Sequence, residues 1–246
     1  MSFKPLLYLL IFSILSIPVN AQTDSLFMKQ KKEKTFLQKA ILPASLIVGG
    51  SLLSGSHFEK DFQREVRHIV GNNYAFEIDD YTLYVPIVEM YAADALGVQS
   101  KNHWFDQTKN LVIANIVSDY ITFKLKIWTK KRRPNGDDDL KSFPSGHTSR
   151  AFTNAGILYH EFIDTSPFLA YSGYAFATTT GVFRVMNNAH WVSDVIVSSG
   201  IAILVTELVY LLDPIIKWNP FKNTKGISFI PRIDNEHYGF YLSMNF

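Results

Sequence analysis

Apolar residues run along this chain in long blocks separated by short polar breaks. Ala40 to Ser56 carries no charge, and its length reaches only the lower limit for crossing a bilayer, about 17 residues. Phe58 to Ile69 interleaves charged and apolar positions and reads as an amphipathic surface helix. Tyr81 to Val98 is apolar but holds Glu89 and Asp94; Leu111 to Leu125 is apolar but holds Asp119 and Lys124. Acids facing lipid are costly, so those side chains turn inward or the two segments are ordinary core helices. His147 to Ile163 opens directly after a Ser-Gly pair. Ser166 to Phe183 is uncharged and rich in small residues. Val192 to Leu212 has Asp194 and Glu207 as its only charges, and Asp213-Pro214 ends it. These blocks predict about six helices and no alternation of strand with helix, so the expected core is all-α.

The two ends follow other patterns. Lys4, the apolar stretch Leu6 to Ile17 and Val19-Asn20-Ala21 have the layout of a cleavable export signal over residues 1–21. A helical domain over 22–225 is expected to follow. Ile227 to Ile233 and Tyr238 to Phe246 read as strands joined by Asp234-Asn235-Glu236-His237, with every second residue from Tyr238 large and apolar. A terminal aromatic resembles the ending of outer-membrane barrel proteins. Two strands cannot close a barrel, so 226–246 is expected to form a small C-terminal β-hairpin packed on the helical body.

Composition narrows the class only partly. With 246 residues the chain can build one domain with a real core. Hydrophobic residues make up 47% and the mean hydropathy is +0.04, between soluble and polytopic membrane proteins. The net charge of +2 drops to +1 when Lys4 leaves with the signal, so no global field points to nucleic acid. The absence of cysteine excludes disulfides and thiolate chemistry. No feature points to an obligate protein partner.

Three polar clusters stand out against this background. Pro144-Ser145-Gly146-His147 places a glycine turn at the start of a helical block. Unpaired backbone N–H groups and the helix dipole make such an end an anion site, and Gly146 lets the backbone approach an oxyanion without a Cβ in the way. Lys126 and Arg133 are seven apart, which predicts one helix face if the helix runs on to Pro134. Arginine can fork onto two phosphate oxygens, while lysine acts as a point charge. His190 and Asp194 are four apart, so a carboxylate can fix one imidazole nitrogen and leave the other as a nucleophile. Arg184 lies six residues upstream. His57, His68, His103 and His237 lie in polar or loop contexts with no partner pattern, and His160 reads as structural. Asp137-Asp138-Asp139 reads as a solvated loop rather than a metal site, because three consecutive acids cannot all face one ion in a short turn. The run Lys130-Lys131-Arg132 is expected to be exposed and to attract anionic headgroups. Glu89, Asp94 and Asp119 are open to pairing with site bases or with other helices.

In the order Lys-x6-Arg-Pro, Pro-Ser-Gly-His and Arg-x5-His-x3-Asp, the clusters resemble the type 2 phosphatidic acid phosphatase superfamily, which also contains non-specific acid phosphatases and vanadium haloperoxidases. The resemblance covers about Leu111 to Leu212 and departs at Phe183, where the family often has serine. It implies a six-helix bundle. It implies that His190 attacks phosphorus, that Asp194 orients His190, and that His147 protonates the leaving group and then activates water. Lys126, Arg133, Arg184, Ser145 and Gly146 are implied to bind the phosphate, with no metal or other cofactor. The implied substrate is a phosphorylated lipid in a bacterial envelope, at the periplasmic face of a membrane. Phosphatidate, phosphatidylglycerol phosphate, undecaprenyl pyrophosphate and lipid A phosphate are the family's candidates. A soluble periplasmic acid phosphatase is the alternative, and a haloperoxidase is a more distant one.

Overall fold

A computed structural model describes residues 35–216, 218–219, 227–233 and 238–244; the export-signal expectation for residues 1–21 lies outside them. Thr35–Phe246 form one unit. Its described residues make α1 (Phe36–Leu53), α2 (His57–Val70), the short α3 (Asp79–Thr82), α4 (Val85–Ala95), α5 (Trp104–Thr129), α6 (Gly146–Phe162), α7 (Pro167–Met186) and α8 (Val192–Leu212). β1 (Ile227–Ile233) and β2 (Tyr238–Met244) pair antiparallel, with Ile227 opposite Met244 and Ile233 opposite Tyr238.

Local chemistry sets most boundaries. Thr35 and Gln38 form a reciprocal capping box that starts α1. Ser56 caps α2, and Gly71, at φ 90°, ends it. The apolar block from Tyr81 breaks into α3 and α4, because Pro86 cannot donate and belongs in the first turn of a new helix. α5 starts seven residues before Leu111: its polar first turns are held by Lys109 on Asp106 at 2.8 Å and on Asp213 at 3.4 Å.

α6 is the central helix. Ala151, Ala155, Ile157, Leu158 and Phe162 are fully buried against its neighbours. Small residues bring the helices together. A Cβ on Gly156 would stand 2.6 Å from Thr206 Oγ1 and 3.0 Å from its Cβ, and one on Gly200 would stand 2.7 Å from the carbonyl oxygen of Pro43 in α1. Between α5 and α6 runs a polar ladder: Asn115–Asn154 at 2.9 Å, Ser118–Thr153 at 2.9 Å and Thr122–Ser149 at 3.3 Å. These bonds satisfy groups that would otherwise be buried at a cost, and they fix the height of α6 relative to α5. The outer surface is apolar in long stripes, with Leu37, Ile41, Val48 and Leu52 exposed on α1 and Ile116, Phe123 and Trp128 on α5. α1 and α8 are long and apolar enough to cross a membrane; 11% of the α1 span and 56% of the α8 span are buried inside the bundle.

Candidate active site

Two helix N-termini form the floor. Ser145 caps α6: its Oγ accepts from Thr148 N at 3.4 Å and from Thr148 Oγ1 at 2.9 Å, which leaves its own hydroxyl hydrogen free to donate. Gly146 has open space where a Cβ would stand, so an anion can approach the backbone there. The Ser145 N–H donates to the carbonyl oxygen of Asp194 at 3.3 Å and ties the start of α6 to the start of α8.

Asp194 sits in the first turn of α8, with no exposed surface. Its Oδ2 accepts from the Trp191 N–H at 3.0 Å and from Ser142 Oγ at 2.5 Å. Its Oδ1 accepts from Lys131 Nζ at 2.9 Å. With that many donors the carboxylate cannot swing. His190 lies before the helix rather than on it, and its Nδ1 faces Asp194 Oδ2 at 3.5 Å. That is an ion-pair distance longer than a hydrogen bond, so Nδ1 has no hydrogen-bond partner; such contacts commonly tighten when substrate binds. The ring is 2% exposed. Burial pushes its pKa down to about 4, against the pull of Asp194, with the charges of Lys126 and Arg184 acting in the same direction as burial. The imidazole is therefore neutral near pH 7.

The cations come from three elements. Lys126, in the last turn of α5, donates to the carbonyl oxygen of Lys141 at 2.6 Å. Burial and then the neighbouring Arg133 guanidinium lower its ammonium to about 8. Arg133 does not share a helix face with Lys126. α5 ends where Lys130 takes the left-handed conformation, φ 47°, and Arg133 reaches back from the following loop. Its Nε binds Asp139 at 2.9 Å and its Nη1 donates to the carbonyl oxygen of Ala189, beside His190, at 3.4 Å. Arg184 closes α7 and pairs through Nη1 with the buried Asp79 at 2.6 Å. Its Nε is buried with no acceptor.

His147, in the first turn of α6, has a side chain 39% exposed, and its Nε2 meets Asp80 Oδ1 at 2.8 Å. Burial and then Arg184 lower its pKa, while Asp80 opposes them. Proton traffic with solvent is open to this histidine and closed to His190.

Several participants carry no local signal of their role in the sequence. Asp79 and Asp80 hold Arg184 and His147, whereas the acids left open turn elsewhere: Glu89 accepts from Ser172, Asp94 from Gln107, and Asp119 pairs with Arg150. Lys131 is not part of an exposed basic patch. It turns inward, donates to Glu59 Oε1 and Asp194 Oδ1, both at 2.9 Å, and lies over the rings of Phe143 and Trp191. Ser193 adds a short hydrogen bond to Glu59. The three consecutive acids diverge, Asp137 to Asn135, Asp138 to Arg132 and Asp139 to Arg133. His160 stacks on Tyr210 and pairs with Glu207 at 3.3 Å. No spacing announced Asp79, Asp80 or Lys131; only the mixed pattern of α2, which predicts a buried face, could have drawn attention to Glu59.

Residues 107–217 match the model of the PAP2 superfamily. Over 182 residues, 71% of this chain, the sequence is 30% identical to the lipid A 1-phosphatase of Porphyromonas gingivalis, and 39% of that protein is covered. The chain thus spans about two fifths of the length of the curated relative it matches. Among solved structures, LpxE of Aquifex aeolicus aligns at 19% identity over 65% of this chain and 89% of that one, with a TM-score of 0.42. The first transmembrane PAP2 type phosphatidylglycerolphosphate phosphatase from Bacillus subtilis aligns at 18% identity over 88% and 98%, with a TM-score of 0.43.

Proposed function

Because the chain belongs to the PAP2 superfamily through residues 107–217, we propose that it is a phosphatase that cleaves a phosphomonoester from a lipid at a membrane surface, through a phosphohistidine. The observation that carries this reading is a pair of buried nitrogens without acceptors, Arg184 Nε and His190 Nδ1, set among Lys126, Arg133 and the open start of α6. A tetrahedral phosphate supplies the acceptor for Arg184 and draws His190 onto Asp194.

The chemistry follows from the arrangement. With Nδ1 turned to Asp194, the Nε2 lone pair of neutral His190 forms a bond to phosphorus while the phosphorus–oxygen bond to the lipid breaks. Asp194 stabilises the cationic ring that results. His147, in its protonated form, gives its proton to the departing oxygen, and the resulting neutral ring then takes a proton from the water that attacks the phosphohistidine. Inorganic phosphate leaves and His190 is restored. Lys126, Arg133, Arg184 and the Gly146 amide offset the charge spread over the equatorial oxygens. These side-chain and backbone donors carry the charge, so the reaction is proposed to need no metal.

The lipid substrate is supported by the apolar stripes on α1 and α5 and by the two helices able to cross a membrane. A phosphate on lipid A is the first candidate, from the relative's name; phosphatidate, phosphatidylglycerol phosphate and a polyprenyl pyrophosphate complete the set. The periplasmic face is the proposed location. Purified protein is to be given each lipid and a soluble aryl phosphate, with and without chelator, and released phosphate measured. Release from one lipid class that survives chelator is the expected result. Release from the aryl phosphate alone, by protein extractable without detergent, would replace this reading with a soluble acid phosphatase.

A further inference from the structure

A cavity of about 790 Å³ lies beside the catalytic segment, between α2 and the residues that follow Arg133 and His190. Its α2 wall carries Lys60, Arg64 and Arg67, three basic side chains against the single carboxylate of Asp61. Arg64 pairs with Asp61, and Arg67 donates to the backbone carbonyls of Met186, at 2.7 Å, and Asn72. Among the described residues, Lys60, His57 and His68, which also line it, have no side-chain hydrogen bond or ion pair. The cavity therefore carries a net positive charge, with Lys60 as a cation left without a carboxylate among the described residues.

Its far wall belongs to the catalytic machinery. Pro134 follows Arg133 and Trp191 follows His190, and both line the cavity. Gln63 Nε2 donates to the carbonyl oxygen of Val185 at 3.1 Å and to Asn188 Oδ1 at 2.7 Å, inside the segment that links Arg184 to His190. Gln63 Oε1 is buried with no donor. An anionic ligand that also carries hydroxyl groups suits this wall: the cations take the anion, and a hydroxyl is the donor that the amide oxygen lacks.

We infer that this cavity holds a second anionic group on a hydroxylated, sugar-like headgroup of the same lipid whose phosphate is cleaved at His190. The inference rests on the phosphatase reading and names what distinguishes the substrate: two anionic groups, one at His190 and one in this cavity. The shared wall gives such a headgroup a route to align the Arg184–His190 segment as it binds.

The test uses full-chain protein in neutral detergent and two lipids with the same scissile phosphate on a sugar, one carrying a second phosphate. Lys60 and Arg64 are exposed, so the Lys60→Ala/Arg64→Ala double variant keeps its fold. For the two-phosphate lipid its KM should rise about five- to fiftyfold with kcat unchanged, the loss expected for two partly screened ion contacts. The one-phosphate lipid should keep its KM. An equal rise for both lipids, or none for either, overturns the inference. Inorganic phosphate is the second arm. If it inhibits cleavage of the one-phosphate lipid in wild type and not in the double variant, the cavity is a free-anion site and the headgroup assignment fails. If wild-type protein cleaves neither lipid, the phosphatase reading fails instead, and calorimetric titration with a hexose 1,6-bisphosphate and a hexose 1-phosphate decides the cavity. A preference for the bisphosphate that disappears in the double variant supports the site; equal binding of both removes it.

Discussion

The site contains two imidazole–carboxylate pairs that differ in almost every respect but their chemistry. His190 and Asp194 are sealed, with 2% and no exposure, and their carboxylate is fixed by Lys131, Ser142 and a backbone amide. His147 and Asp80 are half-open, with side chains 39% and 51% exposed. Burial holds the first ring neutral, which suits the nucleophile proposed for it. Contact with water opens the second to proton exchange, which suits the acid–base role proposed for it. Depth alone separates the roles proposed for the same two residue types.

Removing the nucleophile should break the comparison most severely. His190→Ala is expected to reduce phosphate release by at least about 10⁴-fold, whereas His147→Ala should cost about 10²–10⁴-fold with the lipid substrate. With an aryl phosphate, whose leaving group needs no proton, the His147→Ala penalty should shrink and the His190→Ala penalty should not. Equal penalties on both substrates would contradict the division of labour.

The sealed pair should also dominate stability. Lys131→Met leaves Glu59 and Asp194 buried without their cation, a change expected to cost about 3–5 kcal/mol in unfolding experiments. An effect below 1 kcal/mol, as for an exposed lysine, would show that the inward position is not occupied. His190 should contribute a pH dependence. The unfolded ring protonates near 6.5 and the folded one near 4, so below pH 6.5 the unfolded state binds more protons. Stability should then fall by about 3 kcal/mol as pH drops from 6.5 to 4, and His190→Gln should flatten that slope.

The open pair can be tuned without breaking the fold. Asp80 raises the pKa of His147, so Asp80→Asn should lower it and move the alkaline limb of the kcat/KM profile to lower pH. A limb that stays in place or moves to higher pH would mean that His147 is not the titrating acid. The smallest effect should come from Arg132, whose pair with Asp138 is exposed. Arg132→Ala should change stability by less than about 0.5 kcal/mol.

Helices with local signals were legible from the residues alone. α6 and α8 begin where a serine cap and a His-Trp turn precede an apolar run, and α2 ends at a glycine. The helix expected to reach Pro134 was not, because Lys130 adopts a left-handed conformation that few non-glycine residues advertise. Arg133 still reaches the site, by way of a loop rather than a helix face. His190 likewise acts from a turn, so its separation from Asp194 reflects a helix start and not a helical repeat. Asp79, Asp80 and Glu59 enter through contacts spanning about a hundred residues or more in Asp79–Arg184 and Glu59–Ser193. Lys131 sits in a basic run whose members look alike until the chain folds; one turns inward onto two buried carboxylates and its neighbours face water. Chemistry-bearing residue types were visible, but their depth was not, and depth is what separates the two histidines.

The most direct test of the sealed nucleophile is to mix His147→Gln protein with an aryl phosphate, quench in alkali within the first turnover, and map the phosphate by peptide mass spectrometry. The expected result is phosphate on the His190 peptide, absent when His190→Gln is added. Phosphate release with no phosphopeptide, or a label on any other residue, would contradict a covalent step at His190.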